Sequence, residues 1–298
     1  MAEPIRIDGP DGPLGGELIT AADARDIVVI VPGSGPTDRD GNSAGMGWRP
    51  DTYKLLAEGL KAAGISSLRI DKRGFYGSAA AISDPADITI GGYAEDTRKW
   101  VERASKLAPR VWIAGHSEGG LVALVAAQAP PQNLRGLILM ATSGRPTGQL
   151  LVEQFRSDPA NAMLMPEVEA IVADLEAGRK RDPASLTPAL QPFFSNGLQR
   201  YMIDLFSYDP VAVAKRWRGQ ALILQGDADV QVRPRDADLL AGAMPQAMRI
   251  DLLGATHVLK TEVPGSPLAT YRHPALPLHP ELIPGIVRLL GTDRAPTD

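Results

Sequence analysis

Six short apolar runs recur along this chain, and each ends in a loop rich in Gly, Asp or Ser. They are Ile27 to Val31, Ile65 to Ile70, Val111 to Ala114, Leu137 to Met140, Ala221 to Leu224 and Met248 to Leu253. Most are near-continuous rather than alternating, the pattern of strands whose two faces are both covered. Helical patterns lie between several of them, over residues 51–63, 92–107 and 233–243. Strand and helix in alternation predict an α/β domain with a mostly parallel sheet flanked by helices. Ile5 to Ile7 and Leu14 to Thr20 read as a leading hairpin. The carboxyl ends of parallel strands share one edge, so the six loops should converge there although they span more than half of the chain.

The third run leads into Gly115-His116-Ser117-Glu118-Gly119, and Leu121 to Ala127 follows as a helix. G-x-S-x-G between a strand and a helix has the form of a nucleophile elbow: glycines remove Cβ atoms that would clash in the turn, and the serine stands above the sheet. A serine hydroxyl needs a base to take its proton and a carboxylate to orient that base. Only four histidines are available. His116 diverges from its neighbour Ser117, and His273 and His279 lie in a proline-rich stretch. His257 follows the last strand in Gly254-Ala255-Thr256-His257, late in the chain, as the order Ser, Asp/Glu, His requires. The acid belongs in Gly226-Asp227-Ala228-Asp229, where spacing leaves Asp227 and Asp229 both open. An oxyanion hole needs two N–H donors. The Glu118 N–H, just after the serine, is one candidate. The Ser34 N–H, in the turn Gly33-Ser34-Gly35 after the first parallel strand, is the other. That turn lacks the G-x-x-x-x-G-K-[ST] pattern of a phosphate cradle, and Pro36 removes an N–H.

Composition excludes other classes. With 298 residues, 44% hydrophobic, the chain can build a substantial core. A net charge of −4 without a basic stripe argues against a nucleic-acid partner. The absence of cysteine rules out thiol catalysis and Cys-zinc sites. No run approaches the roughly 18 apolar residues of a membrane span. The N-terminus reads as free of a signal peptide, so the expectation is a cytoplasmic protein. No sequence feature sets an oligomeric state.

Alternation breaks from about Arg145 to Val213. Three helical patterns without a strand imply an insertion, residues 146–213, between core segments 1–145 and 214–298. Inserted after a strand's carboxyl end, it is placed to act as a lid. Its aromatics Phe193, Phe194, Tyr201 and Phe206 are candidates for an acyl pocket. Arg39 and Arg73, in Asp38-Arg39-Asp40 and Asp71-Lys72-Arg73, read as charges paired with nearby carboxylates rather than as substrate ligands.

These residues resemble the α/β-hydrolase superfamily, and within it the bacterial serine esterases related to the serine aminopeptidase-type hydrolases. The segments Val31 to Asn42, Arg69 to Ser78, Gly115 to Gly120, Leu222 to Val232 and Gly254 to Lys260 carry the likeness, which spans roughly residues 15–290. The resemblance implies Asp229 rather than Asp227 as the acid. It also implies an acyl-enzyme intermediate with no metal and no organic cofactor. One departure is Pro32-Gly33, where many members carry His-Gly. The expected activity is cleavage of small carboxylic esters, especially short acyl esters, by Ser117, His257 and Asp229. Amidases, aminopeptidases and thioesterases use the same triad, and a non-catalytic ligand binder on this scaffold is a further alternative.

Overall fold

A computed structural model describes residues 2–291. Eight strands form one sheet: β1 (Ala2–Asp8), β2 (Pro13–Ile19), β3 (Asp26–Val31), β4 (Ser66–Ile70), β5 (Arg110–His116), β6 (Leu134–Met140), β7 (Gln220–Gly226) and β8 (Met248–Leu252). Their spatial order is β1-β2-β4-β3-β5-β6-β7-β8. The leading hairpin is antiparallel, β2 pairs antiparallel with β4, and β4 through β8 run parallel.

Among the described residues ten α-helices accompany the sheet: α1 (Thr52–Ala62), α2 (Ile90–Ser105), α3 (Glu118–Ala126), α4 (Thr147–Ser157), α5 (Met165–Glu176), α6 (Asn196–Phe206), α7 (Pro210–Ala214), α8 (Pro234–Ala243), α9 (Ala269–Arg272) and α10 (Leu282–Gly291). Alternate residues of β3, β5, β6 and β7 serve two separate cores. Ile27, Val29 and Val31 join Trp100 of α2, Val122 of α3 and Leu240 of α8 on one face. Val28 and Ile30 join Leu56 of α1 and Ile286 of α10 on the other. Both faces are therefore dry, which is why the strands read as unbroken apolar runs.

Registers Val31↔Gly115, His116↔Met140 and Gly226↔Leu252 bring the loops after β3, β5, β6, β7 and β8 to one edge. From β6 to β7 the chain forms only α4 to α7 and short 3-10 turns. The root of this segment is fastened to the core. Buried Arg145 donates to Asp236 of α8 from Nε (2.9 Å) and Nη2 (2.8 Å), and Glu153 of α4 accepts from Arg233 and Arg235. At its far end, Asp204 of α6 accepts the Ile90 N–H that opens α2 (2.7 Å).

Candidate active site

Ser117 sits between β5 and α3 with φ 54° and ψ −122°. A positive φ is uncommon for a residue with a Cβ, and it turns this side chain out of the strand path. The turn closes only because its neighbours are glycines. A Cβ on Gly115 would lie 2.2 Å from the Gly119 carbonyl oxygen, and one on Gly119 would lie 2.3 Å from the Val31 carbonyl oxygen. Since backbone cannot yield as a side-chain tip can, Gly115→Ala is expected to cost about 1–3 kcal/mol or more of stability. Urea unfolding checks this as a lower midpoint at unchanged slope.

His257 and Asp229 meet at the same edge. Asp229 Oδ2 lies 2.8 Å from His257 Nδ1, and Oδ1 accepts the N–H groups of Gln231 (2.8 Å) and Val232 (3.0 Å). Burial raises the Asp229 carboxyl, but His257 and the two N–H donors outweigh it, and the group ends below its ordinary value of 3.8. Asp227 is spent elsewhere: its carboxylate accepts the Gly254 N–H and shapes the loop before His257. His279 is likewise occupied, with Nδ1 accepting the Glu281 N–H and Nε2 set against the Leu253 carbonyl (3.2 Å). His273 is exposed.

His116, set aside above as a base, ties the site together. Its Nε2–H donates to the His257 carbonyl oxygen (2.8 Å), and its Nδ1 accepts from the Tyr53 hydroxyl (2.8 Å). The Tyr53 hydroxyl in turn accepts the Gly33 N–H (3.1 Å). One chain of hydrogen bonds thus links the loops after β3, β5 and β8, with its middle on α1. The order of donors selects a single neutral imidazole tautomer. Burial and the neighbouring His257 push His116 down to about 3, so it stays neutral under ordinary conditions. The His116 and His257 rings stand 4.8 Å apart, which sets residue 257 beside the elbow. Ser117 Oγ makes no hydrogen bond among the described residues; in ligand-free sites such contacts often close only when substrate binds.

Ser117 stands in the wall of a cavity of about 570 Å³, within the range of small-molecule sites. Ser34, Lys72 and Glu118 line it from the core side, and Leu150, Leu198, Tyr201, Leu205 and Phe206 line it from the β6–β7 segment. Of the four aromatics singled out from sequence, Tyr201 and Phe206 reach the cavity. Phe194 is instead buried against Phe155, and Phe193 is exposed. Ser34 and Glu118 share this lining with Ser117. The Ser34 N–H has no acceptor among the described residues, and Glu118 is the first residue of α3, where N–H groups lack helical partners.

The charged loops pair internally. Arg39 binds Asp71 through both guanidinium and carboxylate, and Arg73 does the same with Asp96 at 2.5 and 2.7 Å. Lys72, between them, escaped the sequence reading. It is buried, and its neighbour Arg73 carries the more conspicuous guanidinium group. Among the described residues no cluster of three or more His, Asp or Glu side chains is arranged to hold a metal ion. No helix there is long and apolar enough to cross a membrane.

Residues 43–262 match the family described as Hydrolase_4, serine aminopeptidase S33. The chain belongs to that family. The match contains Ser117, Asp229 and His257 and begins after Ser34. The chain is 28% identical over 215 residues to Esterase EstD of Thermotoga maritima, which covers 71% of this chain and 48% of that protein; the chain spans about half the length of this relative. Among solved structures, the α/β hydrolase GrgF from Penicillium sp. sh18 superposes with a TM-score of 0.59 at 18% identity, covering 86% of this chain and 91% of the other. A thermophilic esterase from Thermogutta terrifontis gives 0.59 at 17% identity, covering 97% and 98%. At these identities the structural likeness establishes the fold, an α/β-hydrolase sheet with flanking helices.

Proposed function

We propose that this member of the family is a serine carboxylesterase acting on small acyl esters through an acyl-enzyme. The observation that carries the reading is a serine on a strained strand-to-helix turn, at the wall of an apolar cavity, whose sequence neighbour His116 packs against a histidine already bonded to a buried carboxylate. In this account Ser117 attacks the ester carbonyl while His257 Nε2 takes its proton. Asp229 holds the His257 Nδ1–H and stabilises the imidazolium. The N–H groups of Ser34 and Glu118 receive the oxyanion. The proton on His257 then passes to the leaving alcohol. Water, deprotonated by the same imidazole, attacks the acyl-enzyme, and collapse of the second tetrahedral intermediate returns Ser117 and releases the carboxylic acid. None of these steps calls on a metal or an organic cofactor. Residues 146–213 act as a lid over the acyl group, since α4 and α6 supply much of the cavity lining.

The charge of the cavity favours an ester over an aminopeptidase substrate. An aminopeptidase must bind the ammonium group at the substrate's N-terminus, which calls for a free carboxylate. Glu118 is the sole acidic residue lining the cavity among the described residues, and it is paired with Lys72 at 3.3 Å. A panel of p-nitrophenyl acetate, butyrate and hexanoate, an aminoacyl p-nitroanilide and an acyl thioester tests the reading. Ester turnover is expected to lead, with kcat/KM rising from acetate to butyrate as the chain enters the apolar cavity, at most about fourfold per methylene. Faster anilide cleavage would make the protein an aminopeptidase, and no turnover of any substrate would leave a ligand binder.

A further inference from the structure

The DKR loop after β4 delivers one ammonium group into the wall of the candidate site, where it bonds the Gly33 carbonyl and the Glu118 side chain, next to both proposed oxyanion donors in the chain. Lys72 is 3% exposed. Its Nζ donates to the Gly33 carbonyl oxygen at 2.5 Å and to Glu118 Oε1 at 3.3 Å. The ring faces of Tyr93 and Phe75 lie 5.0 and 5.9 Å from the same nitrogen. A buried ammonium with an anion, a carbonyl and two aromatic faces is fully occupied by the protein and has no need of a substrate anion.

The Gly33 carbonyl belongs to the same peptide unit as the Ser34 N–H. No described peptide bond is cis, so the carbonyl and the N–H of that unit point in opposite directions. A clamp on the carbonyl therefore aims the N–H. Among the described residues only Lys72 bonds this peptide: it lies in a loop next to Gly35, at φ 65°, and the Ser34 N–H has no acceptor there. Tyr53 restrains the preceding Gly33 N–H but cannot set the orientation of the next peptide. A charge-assisted bond to the carbonyl also polarises the amide and strengthens its N–H as a donor. We infer that Lys72 is the positioning residue of the oxyanion hole, holding the Gly33–Ser34 peptide with its N–H turned toward the Ser117 adduct and tying that loop to Glu118 at the head of α3. The inference rests on the serine hydrolase reading above, but it is tested separately.

The test compares Lys72→Met with wild type, using p-nitrophenyl butyrate. Methionine keeps an unbranched stem and removes the charge. Active sites are counted by complete phosphonylation with a fluorophosphonate, so that kcat refers to folded, competent enzyme. Expected is a fall in kcat per titrated site of about 10- to 100-fold with KM changed little, because the contact strengthens only as the oxyanion forms. Affinity for a butylboronic acid, which forms a tetrahedral adduct, should fall in the same proportion as kcat/KM. A merely structural role would lower the melting temperature or the titratable fraction and leave kcat per site and boronate affinity in place. Should the unpaired Glu118 unfold the single variant, Lys72→Met with Glu118→Gln removes both charges, retains both backbone N–H groups, and is expected to show the same loss. Wild-type kcat per site in either folded variant would overturn the inference. A wild-type protein inert toward every ester would instead overturn the esterase reading.

Discussion

Ser117→Ala is expected to reduce kcat on p-nitrophenyl butyrate by about 10⁶-fold, equivalent to about 8 kcal/mol of transition-state stabilisation. The serine is the one group in this account that becomes covalently bonded to substrate, so no neighbour can substitute for it. A remnant of about 10³–10⁴ over the uncatalysed rate should persist, since the oxyanion donors and the cavity remain. KM should stay near its wild-type value, because the hydroxyl contributes little to ground-state binding. Stability should change little or rise. The residue sits at φ 54° whether it is serine or alanine, and its Oγ forms no hydrogen bond among the described residues. Initial rates and a melting curve on the same preparation check both halves. A variant within tenfold of wild type would remove Ser117 from the chemistry.

Asp229→Asn is the second large effect, about 10⁴-fold in kcat. Its direction follows from the backbone around it. The N–H groups of Gln231 and Val232 both point at Oδ1, so in the variant they select the amide oxygen for that position. The amide nitrogen is then turned toward His257 Nδ1, where the carboxylate oxygen stood at 2.8 Å. Two donors cannot face each other, so His257 shifts its proton to Nε2, the nitrogen that must accept from Ser117. The fold survives while the base has the wrong tautomer. A stability signature accompanies this. Folded Asp229 titrates below its unfolded value of 3.8, so the ionised carboxylate is favoured by folding. Its contribution is fully present above that value and is lost as pH falls through the lower folded value. The melting-temperature advantage of wild type over Asp229→Asn should therefore hold its full size above about pH 5 and shrink below pH 4. A gap that stays constant to low pH would show that the native carboxylate is not held ionised.

The architecture could be read from sequence because burial leaves a local mark. Val28 and Val29 face opposite cores, so β3 appears as an unbroken apolar run, and the same holds for β5 and β6. Ser117 was visible for a different reason: the turn that exposes it tolerates only glycine at specific neighbouring positions, and those glycines are adjacent in sequence. Asp227 and Asp229 could not be separated by spacing, since both lie on one loop and only the three-dimensional path of the Gly254–His257 segment decides which carboxylate it meets. The support around the site was harder still. Tyr53 looked like one apolar position of an amphipathic helix, and its hydroxyl finds His116 across 63 residues. Lys72 finds the Gly33 carbonyl across 39. Neither pairing has a periodicity to betray it. The two cavity aromatics, Tyr201 and Phe206, were indistinguishable by pattern from Phe193 and Phe194, because which face of an inserted segment turns inward depends on how it docks on the core.

Mass-spectrometric mapping of a fluorophosphonate adduct on the wild-type protein tests the central claim most directly. One phosphonyl group per chain is expected, on the peptide carrying Ser117, with ester hydrolysis lost in proportion to labelling. Full hydrolysis by a chain phosphonylated at Ser117, or stoichiometric labelling at a different residue, would contradict it.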